Sequence, residues 1–208
     1  MRDMETVALS LPLAAALAGY LLGSIPFAVL VARRHGVDIM KAGSGNPGAT
    51  NVKRVCGRGP GNWVFALDFA KGAAAASWPL LAGANAEAVL HAQLAGFAMA
   101  VAGHCFSVFL KFKGGKGVAV SVGGLCGALP LCLGVSAAVW LGGYFLTRYV
   151  SVASLLGGLS LPVTANAAWG WHDPRFWLCL GIAAFILFTH RNNIMRLASG
   201  REHRFGKS

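Results

Sequence analysis

Long runs of apolar residues alternate with short polar connectors along almost the whole chain. Six apolar blocks stand out, at roughly 7–32, 61–83, 88–110, 117–147, 151–170 and 174–189. Stretches of about 20 such residues suit a hydrocarbon layer ~30 Å thick. A backbone buried in lipid satisfies its own polar groups most simply as helix. The pattern therefore predicts an all-α polytopic membrane helix bundle, with residues 1–208 forming one domain. The first block lacks a convincing small-residue cleavage site and runs straight into a polar loop, so it reads as a mature helix and not a signal peptide.

The connectors differ in charge, and that difference sets the expected topology. Segment 33–60 holds Arg33, Arg34, Lys41, Lys53, Arg54 and Arg58, whereas Asn85–Glu87 holds no cation. Lys111, Lys113 and Lys116 follow, then Arg148, then a tail with Arg191, Arg196, Arg201, Arg204 and Lys207. Cation-rich connectors belong in the cytoplasm. The N-terminus is then periplasmic, and the C-terminus is cytoplasmic only if an even number of crossings follows Lys116. Block 117–147 has 31 residues, about 46 Å as one helix at 1.5 Å per residue, and contains Pro130. Breaking it there gives two short helices and about seven membrane segments, some short or broken. A re-entrant pair with five full spans is the alternative.

Composition supports the membrane reading. The chain is 56% hydrophobic and 12% charged, where soluble domains carry about 25% charge. Its net charge of +11 sits in short loops between apolar runs, where it acts as topology signal and anion contact and does not point to nucleic acid. Cys56, Cys105, Cys126, Cys132 and Cys179 show no metal-binding spacing and read as small buried hydrophobes. No metal and no cofactor is implied.

Polar residues concentrate in three connectors, all cytoplasmic by the argument above. The first, Ala42 to Arg54, combines glycines that let backbone fold around a ligand with donors from Ser44, Asn46, Thr50, Asn51 and Arg54. The second places Gly103-His104 before Lys113-Gly114-Gly115-Lys116-Gly117, a glycine turn opening a helix with a lysine at the junction. Such a turn offers unpaired amides and positive charge to a phosphate. It lacks the GxxxxGK[ST] spacing of nucleotide hydrolases. The third begins at Thr189, where His190 and Asn193 share a face if the helix continues. Glu202 is the only acid in that tail and should pair with one of its arginines. Within a span, Asp68 and Lys71 lie three apart, an arrangement that predicts a fixed salt bridge. Ser154, beyond Arg148, is expected to face the same cavity as the three loops.

Taken together, these motifs resemble the acyl-phosphate:glycerol-3-phosphate acyltransferases of bacterial membranes, the PlsY family. The resemblance runs from Gly23-Ser24-Ile25-Pro26 through Gly43-Ser44-Gly45-Asn46, Arg54, Asp68 with Lys71-Gly72, Gly103-His104 to Val118, Arg148 to Ser154, and His190 to Glu202. It implies a monomeric bacterial inner-membrane enzyme that uses acyl phosphate and glycerol 3-phosphate as substrates in the lipid bilayer. The products would be lysophosphatidate and inorganic phosphate, made for phospholipid synthesis without acyl-CoA. It also implies catalytic roles for Ser44, Arg54, Lys116, His190 and Asn193. Phosphate or substrate contacts would fall to Asn46, Thr50, Asn51, His104, Gly114, Gly115, Gly117 and Ser154, and structural roles to Asp68, Lys71 and Glu202. Two positions depart from the family pattern: Ser107 stands where proline is usual, and Val120 where threonine is.

The chemistry suits these residues. An acyl phosphate already carries a good leaving group, while the acceptor is a hydroxyl on a second anion. Bringing two phosphates together requires cations and backbone amides, and positioning alone can supply about 7–11 kcal/mol. No histidine here is followed by aspartate five residues later, so the HxxxxD base of the other glycerophosphate acyltransferases is absent. A transporter for phosphate or an organic anion is the rival expectation, since basic glycine loops at one face suit anion entry. Neither cations at mid-span nor an internal repeat supports it.

Overall fold

The computed structural model describes residues 2–205, with side chains from Ser10 onward. The described residues form ten α-helices: α1 (Arg2–Ser24), α2 (Phe27–Arg34), α3 (Ala49–Cys56), α4 (Arg58–Ser77), α5 (Ala86–Cys105), α6 (Val118–Ala128), α7 (Pro130–Thr147), α8 (Val150–Trp169), α9 (Pro174–Thr189) and α10 (Arg191–Ala198). They fall into two compact units, the first ending at Ala128 and the second beginning at Leu129.

Ser10–Arg34, Ala86–Leu110, Pro130–Thr147 and Val150–Trp169 are long and apolar enough to cross a membrane. The pair α9 and α10, bent by 54°, makes a fifth if counted as one span. Block 117–147 breaks where Pro130 predicts. Proline occupies the first turn of α7, where its missing N–H leaves no bond unmade. The two pieces are unequal, 11 residues in α6 and 18 in α7. Block 7–32 is not the single helix its apolarity suggests. α1 stops at Ser24 and α2 begins at Phe27, because Pro26 cannot donate to the helical ladder.

In the first unit the helices approach through glycine. A Cβ on Gly19 would strike the carbonyl of Gly96, and one on Gly23 the carbonyl of Ala100, so α1 lies main chain to main chain against α5. Gly72 and Gly123 do the same between α4 and α6, against Val120 and Phe69. Where lipid supplies no hydrophobic drive between helices, close approach of this kind replaces it. Ala28, Val29, Ala32, Ile39, Val52 and Val64 form a separate apolar cluster beneath the first polar loop. In the second unit, Gly143 lets α7 approach Ala153 of α8, and Gly158 lets α8 approach Ile186 of α9.

Gly23→Ala is expected to lower thermal stability by about 1–3 kcal/mol, since a main-chain carbonyl cannot step aside as a side chain can. Gly134→Ala, where nothing lies within 4 Å, should lose none. Parallel melts in detergent compare the two.

Candidate active site

The first polar loop is built around one asparagine. The Asn51 carboxamide accepts from the Ser44 amide at 2.9 Å and donates to the Ala42 carbonyl at 2.9 Å. Gly43, at φ 59°, leaves room for that side chain, since a Cβ there would strike its oxygen. Gly45 also adopts the left-handed region, at φ 70°. This wraps residues 42–48 into a knot that leads into α3. Asn51 is buried and its amide is committed to the loop, so it shapes the loop in place of the substrate contact expected of it. Ser44, Thr50 and Arg54 are exposed, and Asn46 is partly so.

The glycine turn is held from behind by the end of α5. The Gly115 amide donates to the His104 carbonyl at 3.1 Å, closing residues 104–115 into a loop. Lys111 and Phe112 carry the turn through left-handed φ values of 52° and 60°. Gly117, at φ 84°, then opens α6, and its carbonyl accepts from Ser121. The Gly115 amide is therefore not available to a phosphate. Gly114, Lys116 and the first turn of α6 lie at the same corner.

Beneath the turn lies a buried ionic group. Lys71 Nζ is 2.8 Å from Asp68 Oδ1, and His104 Nδ1 is 3.5 Å from the same oxygen. Asp68, Lys71 and His104 are 2%, 5% and 8% exposed, so the His104 ring does not face open solvent. Lys71 also donates to the Ile25 carbonyl at 2.9 Å, one of the groups freed where α1 stops before Pro26. Ser107 donates to the neighbouring Ser24 carbonyl at 2.6 Å. A proline at that position could not make this bond. Ser24, Pro26, Pro47, Asp68, Lys71 and Gly115 line a small cavity here.

In the second unit the third motif does not continue α9. The helix ends at Thr189, His190 caps it, and α10 departs at 54°. Capping, not a continuous helical face, relates His190 to Asn193: the Asn193 amide donates to the His190 carbonyl at 2.8 Å, and both residues are buried. His190 Nδ1 lies 2.9 Å from the Ile186 carbonyl, which fixes the ring. Asn193 Nδ2 and Arg196 Nε donate to the two oxygens of Glu202, at 2.6 and 2.7 Å. Ser154 is buried, donating to Val150 and accepting from Trp140 of α7. Its hydroxyl thus ties α8 to Trp140 of α7.

Burial pushes the Glu202 carboxyl up, but the hydrogen bonds from Arg196 and Asn193 outweigh it and hold it below the usual carboxylate range. A depressed carboxylate stabilises the fold fully above its unfolded pKa and loses that contribution as pH falls through the folded one. Hydrogen-exchange protection of α10 should therefore hold from neutral pH into the acid range and drop only below the ordinary glutamate range. In Glu202→Gln it should be low at every pH.

The sequence profile of the family described as glycerol-3-phosphate acyltransferase matches residues 13–200. The chain belongs to the glycerol-3-phosphate acyltransferase family. The glycerol-3-phosphate acyltransferase of Agrobacterium fabrum is 42% identical over 100% of this chain and 98% of the relative. That of one strain of Thermus thermophilus is 45% identical over 92% and 94%. Among solved structures, PlsY, an integral membrane glycerol 3-phosphate acyltransferase, matches in its glycerol 3-phosphate form with a TM-score of 0.86 and 38% identity, covering 94% of this chain and 96% of that one. Its lysophosphatidic acid form matches with a TM-score of 0.81 and 40% identity, over 94% and 95%. This family member is thus an integral, multi-pass helical membrane protein.

The sequence pointed to the loops, to the Asp68–Lys71 pair and to the pairing of Glu202 with an arginine, but not to the contacts that hold the backbone beneath the glycine turn. Ser107 and Pro26 carry no reactive group, yet they set the backbone beneath the glycine turn. Pro26 within an apolar block was the visible signal for the break in the first span. The partner of Ile25, a lysine 46 positions away, left none.

Proposed function

We propose that this enzyme transfers a fatty acyl group from acyl phosphate to the sn-1 hydroxyl of glycerol 3-phosphate, releasing lysophosphatidate and inorganic phosphate. Its family gives the acceptor and the acyl transfer. The observation that supports the phosphorylated donor is the glycine turn, which sets Lys116 at the start of α6 behind a loop closed by the His104 carbonyl. A helix start with a lysine beside it is a site for a phosphate group.

In this reading the Lys116 ammonium, the Arg54 guanidinium, the Gly114 amide and the first amides of α6 hold phosphate oxygens. Ser44, His190 and Asn193 orient the acceptor or stabilise the oxyanion. The acceptor hydroxyl oxygen bonds to the acyl carbon. The bond from that carbon to the phosphate oxygen breaks, phosphate leaves with the electron pair, and a substrate phosphate takes the hydroxyl proton. Asn51, the Asp68–Lys71 pair and Glu202 build the backbone around these groups. The basic connectors support about seven membrane segments in a bacterial inner membrane, with a periplasmic N-terminus and the reaction at the cytoplasmic face. We take the working unit to be the monomer.

Mass-spectrometric detection of lysophosphatidate tests the donor. Product from acyl phosphate and glycerol 3-phosphate, with none from acyl-CoA, supports the reading. Product from acyl-CoA at a comparable rate would overturn it.

A further inference from the structure

We infer that His104 is a positioning residue, the head of a buried strut that runs from the break in the first span through Lys71 and Asp68 and fixes the height of the phosphate turn. The inference rests on the reading of residues 114–117 as the phosphate-binding turn.

Both edges of the His104 ring face the protein. Nδ1 faces Asp68, and Nε2 abuts the backbone of Gly115, where a Cβ would strike it. The other end of the strut is equally fixed. Lys71 holds Asp68 at 2.8 Å and the Ile25 carbonyl at 2.9 Å. Its ammonium also stands 5.6 Å from the centre of the Phe27 ring. Ser107 ties the turn's first residues to Ser24 on the same break. A charged lysine and aspartate at this depth are costly unless paired. Here the pair also reaches two other segments, the freed end of α1 through the Ile25 carbonyl and the back of the turn through His104. Neither contact would be needed for a simple salt bridge within α4. A phosphate site works only if its donors stay within a few tenths of an ångström of their places. A turn made largely of glycine cannot hold that geometry unaided.

Two neighbouring glycines separate this role from a general need for histidine. A Cβ on Gly115 meets the His104 ring, whereas a Cβ on Gly114 meets the His104 main-chain carbonyl. Removing the ring makes room for the first and not for the second. The experiment measures inhibition of acyl transfer by added inorganic phosphate, together with the KM for acyl phosphate. Gly114→Ala, Gly115→Ala and His104→Ala would be assayed in detergent-purified full-length protein, with both double variants and a melt of each.

Gly114→Ala and Gly115→Ala are each expected to weaken phosphate inhibition about tenfold or more. The His104→Ala/Gly115→Ala protein should be no weaker than His104→Ala alone, while His104→Ala/Gly114→Ala should be weaker than either parent. His104→Asn keeps a donor toward Asp68 and should recover part of the phosphate affinity lost in His104→Ala. Additive losses in both double variants would overturn the strut while leaving the turn's role intact. Unchanged phosphate inhibition in both glycine variants would remove the phosphate turn itself, and the strut with it. Should His104→Ala not fold, Asp68→Asn serves in its place: unaltered phosphate inhibition in that variant would overturn the proposal.

Discussion

Lys116→Ala is expected to slow acyl transfer by about 10²–10³-fold while leaving the protein folded, the scale on which loss of a single donor acts in preorganised oxyanion sites. Lys116 stands at the junction of the glycine turn and α6, where its charge adds to the amides of a helix start. Two phosphate-bearing substrates repel each other as they approach. Removing one cation therefore raises the barrier for both binding and reaction. The side chain is only half-buried, so the melting midpoint should move little. Ser44→Ala should lose turnover on a similar scale, because the Asn51 bond that shapes its loop goes to the Ser44 amide and survives. Steady-state rates with acyl phosphate, read beside a melt of each variant, check both. Unchanged rates in the two variants would remove this site.

Lys71→Met should have the largest effect on stability. It leaves Asp68 without its ammonium partner, buried beside His104 among α4, α5 and the break after α1. Losing one partner of a buried pair costs about 3–5 kcal/mol. The Ile25 carbonyl loses its donor at the same time. At about 2–4 °C per kcal/mol for a chain of this size, the midpoint should fall by roughly ten degrees. Asp68→Leu/Lys71→Met removes both charges and should recover much of that loss. If Lys71→Met melts with the parent, the pair carries no structural weight.

The apolar blocks, the break at Pro130 and the three polar connectors were legible in the sequence because each rests on local pattern: span length, missing N–H groups and charge. The pairing of Asp68 with Lys71 was legible for the same reason, three residues on one helix. Contacts between distant segments were not. Asn51 reads as a substrate donor until its carboxamide is found holding Ser44 and Ala42. Gly115 reads as a phosphate amide until His104 is found accepting from it. His190 and Asn193 were placed near each other by a continuing helix, but α9 ends at His190 and the start of α10 sets their geometry. Ser154 bonds the Val150 carbonyl one turn back on its own helix, but its other partner, Trp140, lies on α7, out of sight of the local pattern. In each case a polar group is taken up within the protein first, and a sequence does not reveal which polar groups are already spent.

On this view the enzyme is a positioning catalyst in which no side chain takes the acyl group. Rapid quenching of a reaction with radiolabelled acyl phosphate, followed by counting of the denatured protein, tests that claim most directly. Label should appear in lysophosphatidate and none on the protein at any time before completion. An acyl group bound to the protein early in the reaction, passed to glycerol 3-phosphate as fast as product forms, would contradict it.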